Sequence, residues 1–188
     1  MGTTAVLVID IQRDYFPGGA YPLVDPDAAA EHAREVIMHA RASGVPVISI
    51  QHVSLEADAT FFLPDTPGVA IDDRVAPVPG ESVITKHFPN SFLGTGLAAE
   101  LERTGVDGLV IVGMMSSMCV DATTRAALDL DFAVTVIHDA CAAPDLEFGG
   151  AEVAGATVHA AFMAALADAG ADVMAAGRWL SMNQPKID

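Results

Sequence analysis

Asp10 closes the apolar run VLVID, Lys86 closes SVITK, and Cys119 follows GLVIVG in the stretch Gly113-Met114-Met115-Ser116-Ser117-Met118-Cys119. A carboxylate, an ammonium group and a thiol gathered in one place would supply a base, an electrostatic partner and a nucleophile. Attack through sulfur requires that set. Each residue type also has a purely structural use. A lone cysteine serves as a small buried apolar residue, a lysine at a strand end as a solvated charge, and an aspartate as the cap of a following turn. Asp14 offers a second acid in the same loop, and Asp10 is preferred because it stands directly at the end of the apolar run. Either Ser116 or Ser117 could cap the helix read from Ser117 to Asp129, which puts Cys119 in its first turn. Unpaired N–H groups there favour an anion, and a nearby Lys86 would lower the thiol pKa further, so a thiolate is expected. Cys141, in HDACAAP, lacks such a helix start and reads as a packing residue.

The elements that must position these groups alternate short β-branched runs with longer helical patterns. The order is Ala5–Asp10, Ala28–Ser43, Pro46–Gln51, Ser82–Lys86, Leu93–Thr104, Leu109–Val112, Ser117–Asp129, Ala133–His138 and Gly149–Ala169. VLVI, VPVISI, GLVIVG and AVTVI are apolar without alternation, as in parallel strands covered on both faces by helices. The expectation is an α/β fold, a three-layer α/β/α sandwich, with residues 1–188 forming a single domain. In such a sheet ligands collect beyond the carboxyl ends of the strands, where Asp10, Lys86 and Cys119 all fall. Residues Leu55 to Gly80, rich in Pro and Asp and carrying Phe61-Phe62, are too irregular for an ordinary connection. That stretch serves either as a wall over the site or as a solvated excursion or contact surface.

Composition narrows the class of function. With 25 acidic against 9 basic residues the formal charge is −16, which repels phosphate backbones and anionic lipid, so neither nucleic acid nor membrane is an expected partner. No apolar run reaches the roughly 20 residues needed to span a bilayer, and the chain enters a strand pattern without a basic leader. A cytoplasmic protein is expected. Two cysteines, in settings of different polarity, do not make a disulfide framework. Arg125 lies four residues from both Asp121 and Asp129 and reads as an ion-pair partner on an exposed helix face.

The segments VLVIDIQRDYF, ITKHFPNSFLGTGL and VIVGMMSSMCVDATTRAALDLDFAVTVIHDACAA resemble the isochorismatase-like cysteine hydrolases, which include nicotinamidases, N-carbamoylsarcosine amidohydrolases and ureidoacrylate amidohydrolases. The resemblance spans nearly the whole chain. It implies a six-stranded parallel sheet and a homo-oligomer, dimer or tetramer. It implies Asp10 as general base, Lys86 as electrostatic partner and Cys119 as nucleophile. It also implies a non-proline cis peptide between Met114 and Met115, with the backbone N–H groups of Met115 and Cys119 forming an oxyanion hole.

Departures from the family pattern shape the subclass. Nicotinamidases begin a metal site with Asp-x-His after the second strand, whereas this chain reads Ser49-Ile50-Gln51-His52-Val53-Ser54, so neither a metal nor another cofactor is expected. True isochorismatases cleave a vinyl ether without a cysteine nucleophile, so Cys119 favours an amidohydrolase acting on a small molecule. A vinyl-ether hydrolase and a redox-responsive or non-catalytic thiol protein on the same fold are the alternatives. Ser116-Ser117 stands where many members carry Thr-His. Proximity to the strand ends nominates Gln12, Phe16, His52 and Phe92 as substrate contacts, beside Met115; for Phe16 and Phe92 ordinary core packing is the competing role.

Overall fold

The computed structural model describes residues 3–184. Six strands form one parallel sheet: β1 (Thr3–Ile9), β2 (Val47–His52), β3 (Ser82–Lys86), β4 (Val106–Met114), β5 (Ala133–Ala142) and, with two intervening strands numbered in chain order, β8 (Asp172–Met174). Their spatial order is β3-β2-β1-β4-β5-β8, so the chain reverses its direction of travel between β1 and β4. Central β1 is buried along both faces, which explains its unbroken apolar run, whereas edge strand β3 alternates in exposure.

Helices cover both faces. On one, α1 (Pro26–Ala42) lays down a stripe of Ala29, Ala30, Ala33, Val36, Ile37 and Ala40 against Val6, Val8 and Val110. The spacing is helical and the alanines allow a close approach. Trp179 of α5 (Ala176–Met182) joins this layer. On the other face α2 (Leu97–Thr104) contributes Leu97 and Leu101, α3 (Asp121–Asp129) contributes Ala127, and α4 (Gly155–Asp168) contributes Met163 and Leu166. They pack on Ala5, Leu7 and Ile9, the residues of β1 that alternate with Val6 and Val8.

Several boundaries differ from the sequence reading. The helix expected from Leu93 begins at Leu97, because Leu93 belongs to a turn closed on Asn90. The stretch expected as helix from Gly149 opens instead as a hairpin of β6 (Leu146–Phe148) and β7 (Ala151–Val153), turned by Gly149 and Gly150, both with positive φ. The sixth sheet strand, β8, is only three residues long, too short for a periodicity signal. Gly105, in the left-handed conformation, closes α2 as the Thr104-Gly105 pair indicated.

At the reversal point β1 and β4 run close together, with Ile9 paired to Gly113. A Cβ on Gly113 would lie 2.2 Å from the Ile9 carbonyl oxygen, and its φ of +148° suits glycine alone. The strand ends carrying Asp10 and the Met114–Cys119 turn are thereby brought side by side. This crevice is where open α/β sheets bind ligands.

Candidate active site

The Lys86 ammonium is the centre of the cluster. It is fully buried, and its Nζ lies 2.7 Å from Asp10 Oδ2, itself fully buried. It also approaches His52 Nδ1 at 2.9 Å, the Phe88 carbonyl at 3.1 Å and Cys119 Sγ at 3.2 Å. An ammonium has three protons, so these four neighbours compete for them. Lys86 pairs with His52 in the β2–β3 register, and Asp10 follows β1 directly, so three adjacent strand ends converge there. Asp10 adopts φ +49°, a left-handed conformation that Asp tolerates better than most residues. The Lys86 ammonium is the countercharge that holds the Asp10 carboxylate.

Burial and charge set the protonation states. Burial raises the Asp10 carboxyl above the usual carboxylate range, with Lys86 opposing. Burial works against the Lys86 ammonium, yet the charge of Asp10 raises it overall. The Cys119 thiol is pushed far up, first by burial and then by the Asp10 carboxylate, with Lys86 only partly compensating. The thiolate expected from the helix-start position is therefore corrected: at rest the sulfur keeps its proton. His52 falls to about 4, through burial and then Lys86, and so is neutral near pH 7.

Cys119 lies in a π-helical turn, Ser116–Val120, that runs into α3, and its side chain is buried. The expected serine cap is also corrected. Met115 holds the cap position without a side-chain bond, because Ser116 Oγ is turned to the Ala142 carbonyl and His159, while Ser117 Oγ is buried without a partner. The Met114–Met115 peptide bond is cis. Cys141 is buried in β5, bonded to the Ile137 carbonyl and pushed up to about 12 by burial, in keeping with packing. Arg125 pairs with Asp121 at 2.9 Å, away from this cluster's contacts.

The first loop is tied to the irregular segment that follows β2. The Gln12 amide is fully buried; its nitrogen donates to the His52 and Val69 carbonyls, and its oxygen accepts from His52 N at 2.7 Å. Gln12 thus clips the ends of β1 and β2 to the 67–69 turn, with both amide protons used. Asp14, the second acid of the loop, accepts from the backbone N–H groups of Phe62 at 2.6 Å and Ala20 at 3.1 Å. Gly68 presses on that carboxylate, since a Cβ there would lie 1.9 Å from it. Phe62 is buried between Tyr15 and His52, with ring centroids 4.6 and 5.9 Å away. Phe61–Phe62 therefore forms a fixed aromatic wall behind His52.

Phe16 lies under the Arg74 guanidinium, 4.6 Å from its ring centre, and borders a cavity of about 700 Å³ shared with Asp14, Leu63 and Gly68. Phe92 packs against the layer containing Cys119 and stacks on Phe132. The sequence reading overlooked Tyr15 and His159. Tyr15 is buried, and burial together with the charge of Asp10 raises its phenol, so it stays protonated. His159 is the other, and it bonds to Ser116, which the sequence had offered only as a cap and as a departure from the family pattern. Tyr15 lies within the quoted VLVIDIQRDYF, but nothing local separates it from an ordinary core aromatic. Although the sequence lacks metal-ligand spacing, Asp10, His52 and Cys119 place ligand atoms within 4.8 Å of one another. The Lys86 ammonium stands among all three.

An open parallel α/β sheet with a buried Asp-Lys-Cys cluster at its crevice is thus the class defined by fold and site. Residues 4–177 match the isochorismatase domain, and the chain belongs to the isochorismatase family. An isochorismatase family protein of Bacillus subtilis, YddQ, whose role is uncharacterised, is 48% identical over 87% of this chain and 91% of its own length. Streptothricin hydrolase of Streptomyces noursei is 36% identical over 76% of this chain but only 50% of its own length. The solved structure of an isochorismatase-type hydrolase from Oleispira antarctica superposes with a TM-score of 0.91 at 46% identity, covering 96% of this chain and 97% of that one. The chain is an isochorismatase-family hydrolase, and its relatives include amidohydrolases. Among the described residues no helix is long and apolar enough to cross a membrane.

Proposed function

We propose that the protein is a cysteine hydrolase that cleaves a carbon–nitrogen bond of amide, carbamoyl or ureide type in a small molecule through a thioester. The carrying observation is the Lys86 ammonium held between Asp10 Oδ2 at 2.7 Å and Cys119 Sγ at 3.2 Å in a buried crevice. Relatives named maleamate amidohydrolase and N-carbamoylsarcosine amidase support the bond type.

In the first half-reaction Asp10 takes the thiol proton as sulfur attacks the carbonyl carbon. Its raised pKa makes it a stronger base than an ordinary carboxylate. Lys86 shifts a proton toward the developing thiolate. The backbone N–H groups of Met115 and Cys119 receive the oxyanion. The C–N bond then breaks as Asp10 returns the proton to the departing nitrogen. In the second half-reaction water gives a proton to Asp10 and attacks the thioester. The C–S bond breaks, the acid leaves, and sulfur recovers its proton. His52 holds Lys86 and Gln12 holds the backbone of His52, beside any contact they make with substrate, and Phe16 and Phe92 contribute apolar walls.

Ammonia release from a panel of small amides, carbamoyl compounds and ureides tests the reading, with intact-mass detection of the acyl-enzyme. Cys119→Ala should lose more than about 10³-fold of the turnover and all acylation while remaining folded. Equal turnover by Cys119→Ala, or sulfenate formation with no acylation by any member of the panel, would overturn it.

A further inference from the structure

The turn that carries Cys119 is anchored at its start by contacts from the end of β5 and from α4, which packs on the same face of the sheet. Ser116 opens the turn and is fully buried. Its Oγ lies 3.1 Å from the Ala142 carbonyl oxygen, at the end of β5, and 2.8 Å from His159 Nδ1, on α4. A carbonyl can only accept, so the single hydroxyl proton of Ser116 goes to Ala142. His159 must then donate from Nδ1 to Ser116 Oγ. This assigns the tautomer: neutral His159 carries its proton on Nδ1, and Nε2 is left as an acceptor. Burial, then the neighbouring His138, lowers the His159 pKa, which keeps the ring neutral near pH 7. Protonation would add a proton at Nε2 only, so the bond to Ser116 survives in either charge state. Asp139 and His32 face the ring across a cavity of about 290 Å³, beside Asp25 and Cys141.

Inside the turn the Met115 carbonyl accepts from Met118 N at 3.1 Å and from Val120 N at 3.3 Å, so the loop bearing Cys119 is closed upon Met115. Ser116 joins that loop to two fixed elements. We propose that His159 is a positioning residue for the nucleophile: through Ser116 it fixes the turn that aims Cys119 Sγ at Lys86 and presents the backbone N–H groups of the turn. The proposal rests on the assignment of Cys119 as nucleophile. His159 touches no reacting atom, so it moves no proton during turnover.

Three variants test it on the best amide of the panel. His159→Phe keeps the ring volume but removes the donor, and a misplaced nucleophile should lower kcat about tenfold or more with KM unchanged. His159→Asn places an amide N–H near the position of Nδ1 and should recover most of that loss. Ser116→Ala removes the intermediary, and the double variant Ser116→Ala/His159→Phe should be no slower than the worse single one. The pH dependence of kcat/KM should keep its limbs in all of them. Thermal melting is read alongside to separate activity from folding. Unchanged kcat in a folded His159→Phe overturns the proposal, as does a fall in KM-dependent binding alone. A pH limb lost with His159 would overturn it in favour of a direct acid–base role. If His159→Phe does not fold, Ser116→Ala decides, and unchanged kcat there overturns the proposal. Loss of turnover in Cys119→Ala with full turnover in Ser116→Ala and His159→Phe would remove this inference alone. Full turnover in Cys119→Ala would remove both it and the catalytic reading.

Discussion

Replacing Asp10 by Asn removes one charge of the buried pair and nearly nothing else, since Asn tolerates the left-handed backbone of position 10 as Asp does. Asp10 and Lys86 are both fully excluded from solvent and 2.7 Å apart. The variant therefore strands an ammonium with no countercharge, and removal of one partner of such a pair costs about 3–5 kcal/mol. Against a total stability of about 5–15 kcal/mol, that is a large share. For a chain of 188 residues it corresponds to a melting point lowered by roughly 6–20 °C. Lys86→Met should cost a similar amount, because it leaves the Asp10 carboxylate alone. The double variant Asp10→Asn/Lys86→Met should recover most of the loss, since neither charge then remains to be solvated. Urea denaturation of the four proteins supplies the cycle, and all three variants should be inactive in ammonia release. Single variants costing less than about 1 kcal/mol, as at an exposed pair, or a strictly additive double variant would refute the reasoning.

Three further outcomes follow from the geometry. His52 has a folded-state pKa of about 4 against 6.5 unfolded, so its neutral form is the one the fold prefers. Its stabilising contribution is complete above pH 6.5 and is lost as pH falls toward and through 4. The full linkage would be about 3 kcal/mol, and solvent screening of the half-buried ring lowers this to about 1–2 kcal/mol. His52→Gln should flatten that part of the stability curve measured by denaturation between pH 4 and 7, and an unchanged curve would contradict it. Lys86→Ala vacates the position among Asp10, His52 and Cys119, whose ligand atoms lie within 4.8 Å of one another. That variant should gain affinity for Zn²⁺ or Cd²⁺, visible as a thiolate-to-cadmium charge-transfer band absent when Cys119 is also replaced. Gly113→Ala would set a methyl group 2.2 Å from the Ile9 carbonyl oxygen at positive φ. It should destabilise the fold by at least about 2–3 kcal/mol in denaturant and reduce kcat, because the ends of β1 and β4 would separate; wild-type stability would show that the strands can shift freely.

The residue order alone determined the layered α/β architecture and the strand ends on which the acid, the ammonium and the thiol stand. Both are local properties: unbroken apolar runs mark the central parallel strands, Asp10 follows such a run directly, and Lys86 closes the short β-branched strand SVITK. The resemblance in the segments around Asp10, Lys86 and Cys119 pointed to the same three residues and to the cis peptide at Met114–Met115. Tertiary structure decided how they meet. Lys86 and Cys119 are 33 positions apart in the chain, and their contact depends on strand order and register, which no local pattern encodes. The protonation of Cys119 likewise could not be read from its place near a helix start, because its burial and the Asp10 charge outweigh Lys86. Gln12 and His52, nominated by proximity as substrate contacts, are joined to the backbone and to Lys86 by bonds spanning 40 and 34 positions. Ser116 and His159, 43 positions apart, meet only because α4 packs beside the turn. Residue types and periodicity specify which groups reach the sheet's carboxyl edge; long-range packing specifies which of them touch and which charge each carries there.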